Sequence, residues 1–374
     1  MSAPSSLTGS ELKKFRTELL GWFATSHRNL PWRRDRDPYR IWISEIMLQQ
    51  TRVAAVIPYF EKFCARFPDV RVLAEAEEAE VLRMWSGLGY YSRARNLQAA
   101  AQQIVREHGG TFPETEQQIR ALRGIGKYTT NAILSIAFGK KHAVVEGNVA
   151  RVVTRLEAVR GDLREGARWE SLQRTADHLL AHEAPGNWNQ AMMELGATIC
   201  TPRSPQCLIC PVANFCRARK LGLQELIPEK RKKRATVGVV LAAAVLVDDR
   251  NRCILLPPPK NGAAKTLADD IPTLVSKMWH FPTLAVSEDP ASDLRRYLKN
   301  VIGAKRLPLQ FVALPKIRHA VTYRAISLLP FRVEFKKLPR VAGAKIILLK
   351  DFSSVPVSNL TRKVARVALE APDF

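Results

Sequence analysis

Apolar residues recur at helical spacing through roughly the first 220 positions and at strand spacing beyond them. Leu12, Phe15, Leu19, Leu20 and Phe23 share one side of a helix that Thr8 and Glu11, spaced as a capping box, would open. The same period predicts helices over 41–57, 77–85, 92–107, 116–122, 128–138, 149–158, 169–182 and 188–198. Pro58, Pro68, Gly87, Gly109, Gly110, Pro113 and Pro185 stand at the joints. The helices are unequal in length and spacing, which argues against a tandem array.

Six charged residues in a row, Glu229 to Arg234, interrupt the pattern. Such a run suits a solvated tether, and it can also touch phosphate. Beyond it, 237–247 and 253–256 read as strands around a turn at Asp248-Asp249-Arg250-Asn251. Further strands are predicted over 311–314, 326–335 and 345–349, and a closing helix over 360–371 with Ser358 or Asn359 as its cap. The expectation is an α+β protein: a helical domain over 1–222, a basic linker over 223–236 and an α+β domain over 237–374.

The chain has 374 residues, enough for two ordinary cores. Its longest apolar stretch, 237–247, is too short to cross a bilayer. No charged segment followed by an apolar run opens the chain, so no signal peptide and no membrane partner are expected. The formal net charge of +23 attracts polyanions, nucleic acid being the usual one. Chain length offers no sign of an oligomer, so a monomer is expected.

Four of the six cysteines fall within seventeen positions, as Cys200-x6-Cys207-x2-Cys210-x5-Cys216. Clustering of this kind suggests a metal centre rather than a disulfide framework. Structural zinc usually shows two close pairs, and here only Cys207 and Cys210 form one. Arg203, Arg217, Arg219 and Lys220 flank the loop, either facing phosphate or offsetting the charge of the centre. Cys64 and Cys253 stand alone.

Leu122-Arg123-Gly124-Ile125-Gly126-Lys127-Tyr128 joins two predicted helices. Gly124 and Gly126 let the backbone turn sharply and approach another backbone, and the next helix presents free N–H groups to an anion. By itself Gly-x-Gly is also a plain helix–helix turn. Glu45 lies in an otherwise apolar helical stretch, Trp42 to Leu48. Burial there would cost free energy unless the group is paired or functional, and would raise its pKa into the range of a general acid. Glu146, ahead of Gly147-Asn148-Val149, is either a second acidic group or a favourable charge at a helix start that Asn148 caps.

Taken together, these residues resemble the helix-hairpin-helix glycosylases, which include endonuclease III, and among them the adenine DNA glycosylase (MutY) family. The resemblance is dense from residue 10 to about 220. It implies a [4Fe-4S] cluster on Cys200, Cys207, Cys210 and Cys216, and a hairpin (Gly124, Gly126, Lys127) that holds a DNA phosphate. It implies that Glu45 protonates adenine and later activates water, with Gln49 and Gln50 against the DNA helix. Glu146 stands where the family usually has Asp; it would stabilise the sugar cation, with Tyr128 and Asn148 as hydrogen-bond partners. Family members that cut the backbone carry a Schiff-base lysine where this chain has Tyr128, and Lys127 is one position early, about 100° away on a helix. A glycosylase without lyase activity is therefore expected. Leu30-Pro31-Trp32-Arg33 implies a base pocket around Trp32 and Arg33, and Gly87-Leu88-Gly89-Tyr90 implies Tyr90 as a wedge in the base stack.

A weaker resemblance continues in Trp279-His280-Phe281-Pro282 and Ile317-Arg318-His319-Ala320, which look like the family's Nudix-like domain. That domain recognises 8-oxoguanine, frequently through a Ser-His pair; here Thr322-Tyr323 lies nearby, and Thr322 would donate in its place. No Glu-rich metal helix of a Nudix pyrophosphatase is found. The implied partner is double-stranded DNA holding adenine opposite 8-oxoguanine or guanine, and the implied location is cytoplasmic, on the bacterial nucleoid. Two rivals stay open: a glycosylase of another base preference, such as mismatched thymine, and a lesion-binding protein weakened by Glu146.

Overall fold

The computed structural model describes residues 5–163, 166–229, 235–258, 278–286, 288–302, 308, 310–321, 323–352 and 355–371. The chain divides into two units, Met1–Glu78 with Tyr90–Lys232, and Ala79–Gly89 with Lys233–Phe374. No helix among the described residues is long and apolar enough to cross a membrane.

The helices of the first part of the chain are α1 (Gly9–Ser26), α2 (Pro38–Leu48), α3 (Val53–Arg66), α4 (Val70–Glu75), α5 (Glu78–Met84), α6 (Ser92–His108), α7 (Glu116–Ala121), α8 (Lys127–Ile136), α9 (Gly147–Leu156), α10 (Gly166–Leu179), α11 (Pro185–Thr198) and α12 (Arg217–Lys220). Phe15 of α1 meets Trp188 of α11 and Phe215 of the cysteine loop edge-on, each with ring centroids 5.5 Å apart. All three are buried, together with the apolar faces of α9 and α10. Each such aromatic contributes about 2–3 kcal/mol by leaving water.

The helix expected over 41–57 is two helices. Pro38 and the Asp37 carboxylate, which accepts from the Tyr39 N–H at 2.9 Å, start α2. It stops at Leu48 because Gln49-Gln50-Thr51-Arg52 are four polar residues in succession, and Gln50 turns with φ +58°. The apolar period carried across that break because α2 and α3 feed the same core. Thr8 is the N-cap of α1, yet its hydroxyl accepts no backbone N–H, so the expected capping box does not form; the neighbouring Gly9 turns with φ +52°. The six-residue α4, capped by Asp69, is too short to display a period and was not anticipated.

The second unit is built on one mixed sheet. Its strands are β1 (Val237–Asp248), β2 (Arg252–Leu255), β3 (Thr283–Ala285), β4 (Val312–Ala313), β5 (Ile317–Val321), β6 (Arg324–Phe335) and β7 (Lys345–Leu348). The order is β4-β6-β1-β2-β7, with β3 paired to β1 and β5 to β6. β1 and β6 run parallel along their full length, Val237 against Arg324 to Asp248 against Phe335, and the other pairings are antiparallel. Two helices, α13 (Pro290–Ile302) and α14 (Asn359–Leu369), cover the faces. Leu241, Ala243, Val245 and Val247 face α14, whereas Ala242, Ala244 and Leu246 face α13. Burial on both faces is why this strand reads as an unbroken apolar run. Ser358 caps α14 by accepting from the Thr361 N–H.

Candidate active site

A cleft of about 460 Å³ opens in the helical unit. Glu45 and Ser44 of α2, the turn at Gln49, Gln50 and Thr51, and Trp32 and Arg33 of a short 3-10 turn line it. Tyr128 of α8, Glu146 and Asn148 at the start of α9, and Met193 and Glu194 of α11 complete it. The volume lies within the ordinary range for small-molecule pockets. Residues 45 and 146, a hundred positions apart, thus face one space.

Glu45 is only 5% exposed, and its carboxylate accepts from the Tyr128 hydroxyl at 2.5 Å. Burial pushes its pKa up to about 7; the Tyr128 bond and the Arg33 charge pull down against it, and the Glu146 charge adds to the rise. Burial, followed by the adjacent Glu45 charge, holds the Tyr128 phenol well above its ordinary value, so it stays a neutral donor. A carboxyl that exchanges its proton near neutrality beside a fixed O–H donor is equipped for acid–base work.

Glu146 itself is the N-cap of α9. Its Oε1 accepts from the Asn148 N–H at 2.8 Å and the Val149 N–H at 3.0 Å. Asn148, expected as the cap, instead accepts from the Arg151 guanidinium at 2.7 Å through its side chain. The extended backbone of Glu146, φ −131°, is what brings its longer side chain back onto the first N–H groups. Capping and a place in the cleft wall are therefore held by the same residue.

Among the cleft residues that escaped the sequence reading are Glu194 and its partner Arg28. Glu194 is 1% exposed and ion-paired with Arg28 Nε at 2.6 Å and Arg33 Nη2 at 2.9 Å. Burial raises its pKa, but the Arg28 hydrogen bond and the Arg33 charge more than reverse that and hold it at about 2. The signal was present, since Glu194 interrupts the apolar stretch Ala191-Met192-Met193-Glu194-Leu195 much as Glu45 interrupts its own.

The remaining candidates lie outside the cleft. Tyr90 is 41% exposed with φ +49°. In the hairpin, Gly124 has φ +79°, and a Cβ there would sit 2.7 Å from the Asn96 Cβ. Gly126 is the N-cap of α8, no side chain caps that helix, and Lys127 is exposed at its first position. The backbone N–H groups are thus presented outward. Thr322 lies outside the described residues.

Cys200, Cys207, Cys210 and Cys216 line one small cavity of about 30 Å³ with Arg155 and Arg219. Among the described residues no three His, Cys, Asp or Glu side chains close round a point tightly enough for a single ion. Four thiols lining one space, with only one close pair in the chain, fit a polynuclear cluster better than zinc. Burial raises the Cys210 thiol to about 12 and pushes Cys207 and Cys216 up as well, so these three favour neutral sulfur until a cationic centre binds. Arg155 donates to the Cys200 Sγ at 3.3 Å and to the Thr201 carbonyl at 2.7 Å, while Arg151 donates to the Cys200 carbonyl at 2.7 Å. Helix α9 therefore runs from the cleft to the cysteine loop.

Comparison with known proteins places the helical part of the chain in a family. Residues 43–178 fit the family model of the HhH-GPD superfamily base excision DNA repair proteins, and residues 200–216 that of the iron–sulfur binding domain of endonuclease III. The chain is 46% identical over 225 residues to the adenine DNA glycosylase of Homo sapiens, covering 58% of this chain and 41% of that protein. It is 38% identical over 217 residues to the adenine DNA glycosylase of Buchnera aphidicola subsp. Schizaphis graminum, covering 58% and 62%. The chain thus spans about two fifths to three fifths of the length of these curated relatives. A solved thermostable thymine-DNA glycosylase superposes with TM-score 0.51 at 30% identity, covering 56% of this chain and 97% of that one. A non-covalent endonuclease III–DNA complex gives 0.50 at 22% identity, covering 58% and 99%, and shows the fold alone. The cysteine loop is accordingly the seat of a [4Fe-4S] cluster.

Proposed function

The chain belongs to the helix-hairpin-helix superfamily of base excision DNA repair proteins, and on that premise we propose that it is an adenine DNA glycosylase acting on adenine opposite 8-oxoguanine or guanine in duplex DNA. The observation that carries the reading is Glu45, a buried carboxyl with pKa about 7, donated to by Tyr128 and sharing one cleft with Glu146. Glu45 protonates the adenine ring. The bond from the sugar C1′ to the base then breaks, its electron pair leaving with the purine. The carboxylate of Glu146 stabilises the oxocarbenium-like sugar, and Glu45, now ionised, takes a proton from the water that adds to C1′.

The supporting parts belong to the same proposal. Tyr128 fills the place of a Schiff-base lysine, and a phenol forms no imine, so the enzyme is a glycosylase without lyase activity. Trp32 and Arg33 wall the base pocket, with Gln49 and Gln50 at the DNA side. The hairpin at Gly124, Gly126 and Lys127 takes a phosphate without reading sequence. Tyr90 is the wedge that meets the few kcal/mol of unstacking. Cys200, Cys207, Cys210 and Cys216 would hold the cluster, and the four bonds would tie the 200–216 loop and its basic flank together. The C-terminal unit, a mixed sheet covered by a helix on each face, is assigned as Nudix-like and lesion-recognising; the protein works as a monomer on DNA in the cytoplasm.

One observation favours a second reading. Glu146 already spends Oε1 on the α9 cap, as a binding protein with weak catalysis would. A single-turnover assay on an adenine:8-oxoguanine duplex, with a thymine-mismatch duplex beside it, separates the readings. Adenine release supports the proposal, binding without release supports the lesion sensor, and thymine release overturns the base preference.

A further inference from the structure

Arg93, the second residue of α6, is 9% exposed and points its guanidinium at the end of the helix that carries Glu45. Nη1 donates to the carbonyls of Ile46 at 2.7 Å, Met47 at 3.0 Å and Gln49 at 2.5 Å. Nη2 donates to the Thr51 Oγ1 at 3.3 Å. Three carbonyls left over at a helix C-terminus would otherwise sit buried without donors, and a cation is favoured there by the helix dipole. On its other side the guanidinium lies 5.5 Å from the centroid of the Tyr90 ring. Burial pulls the guanidinium down to about 10, still cationic at neutral pH.

Two residues at these contacts, Tyr90 under the guanidinium and Gln50 between its partners Gln49 and Thr51, have left-handed backbone. Gln50 and Tyr90 are not glycine, yet they have φ +58° and +49°. Each such residue costs on the order of 1 kcal/mol, and the surroundings must over-determine it. Gln50 lines the cleft mouth, and Tyr90 is an exposed aromatic ring. The shared element that holds both is one planar fork, bonded to the turn on one side and stacked by the ring on the other.

We propose that Arg93 is a positioning residue that locks the Tyr90 ring to the C-terminus of the Glu45 helix, so that opening the base stack and placing the acid are a single mechanical event. This rests on the glycosylase activity proposed above. Arg93 touches no substrate; it transmits the position of the ring to the Gln49–Thr51 turn and, one residue before Ile46, to Glu45. Lysine keeps the charge but not the fork, so it cannot serve three carbonyls, a hydroxyl and a ring at once.

The test compares adenine excision in single turnovers on two DNAs, one fully stacked with adenine opposite 8-oxoguanine, the other with the same adenine in an unpaired bubble. Arg93→Lys and Tyr90→Leu should each slow the stacked duplex by about tenfold or more, because unstacking costs a few kcal/mol. The bubble, already unstacked, should restore each to within about threefold of the unsubstituted protein. The double variant should be no slower than the slower single one, since both break the same link. Equal losses on both DNAs, or losses that multiply in the double variant, overturn the proposal. Should Arg93→Lys fail to fold, Thr51→Ala removes one arm of the fork and should show the same bubble rescue at smaller amplitude; no rescue there also overturns it. If the unsubstituted protein releases no adenine from either DNA, the glycosylase reading fails instead, and base opening in the stacked duplex, read by 2-aminopurine fluorescence, still decides whether Arg93 and Tyr90 act together.

Discussion

Replacing Glu45 with Gln should stabilise the protein above neutral pH while removing its activity. The carboxyl rises from an ordinary 4.5 to about 7, chiefly through burial. The folded state therefore prefers the protonated form, so the favourable contribution of this group is complete below about pH 4.5 and is lost as pH climbs through about 7. The difference amounts to about 3 kcal/mol against the ionised side chain. Gln has nearly the same shape, accepts from the Tyr128 hydroxyl and never ionises, so it escapes this cost. At pH 5 the two proteins should melt within about 2 °C of each other, whereas at pH 8 the Gln variant should melt roughly 5–10 °C higher. Scanning calorimetry on preparations with equal cluster content, at constant ionic strength, makes the comparison. In the unsubstituted protein the rate of adenine release should fall above pH 7, as the acid loses its proton. A melting difference that is the same at both pH values would refute the account of Glu45 as a buried, functionally destabilised acid.

Three more outcomes follow from the same geometry. Glu146→Asp shortens the side chain while keeping the cap, so single-turnover adenine release should be preserved or raised; Glu146→Ala should lose the rate and about 1 kcal/mol of stability by urea titration. Glu194→Gln leaves Arg28 and Arg33 facing a buried neutral group, and chemical denaturation should show a loss of about 3–5 kcal/mol. Gly124→Ala places a methyl group against Asn96 at φ +79° and should cost about 1–3 kcal/mol. In duplex binding it should weaken affinity at every sequence tested, because the role proposed for the hairpin is to hold phosphate and not to read bases.

Most helices of the first unit were legible because they run for ten residues or more and keep one apolar face, as α6 and α9 do, whereas the thirteen-residue α13 of the second unit was missed. The cysteine loop was legible because its donors are close in the chain. What could not be read is whatever depends on partners far apart. Glu45 and Glu194 carry the same local signature, a lone acid in an apolar helix. Nothing near Glu194 in the chain announces that Arg28 and Arg33, more than 160 positions earlier, turn it into a fixed anion at about 2 while Glu45 is left at about 7. The short α4, the three-residue β3 and the five-residue β5 were missed for a different reason: so few positions leave a period weak, although the equally short α7 was found.

The contrast between these two acids bears on the chemistry. Both are buried in one cleft, within reach of the same Arg33, yet one is saturated by two guanidinia and the other is bonded by a single neutral phenol. Pairs of carboxyls whose surroundings drive their proton affinities apart divide the work of acid and permanent anion between them. Glu194 is held ionised by its partners and has no proton to give at neutral pH, so in the proposed mechanism the acid's part falls to Glu45. Glu146 then has only to supply charge to the sugar, a task that survives its use of Oε1 as a helix cap, because a carboxylate bonded by two N–H groups keeps its negative charge and is held in place by them. An extra methylene changes where that charge sits and leaves its sign alone. The price of glutamate at this position should therefore fall on the rate, with binding of the mispair spared.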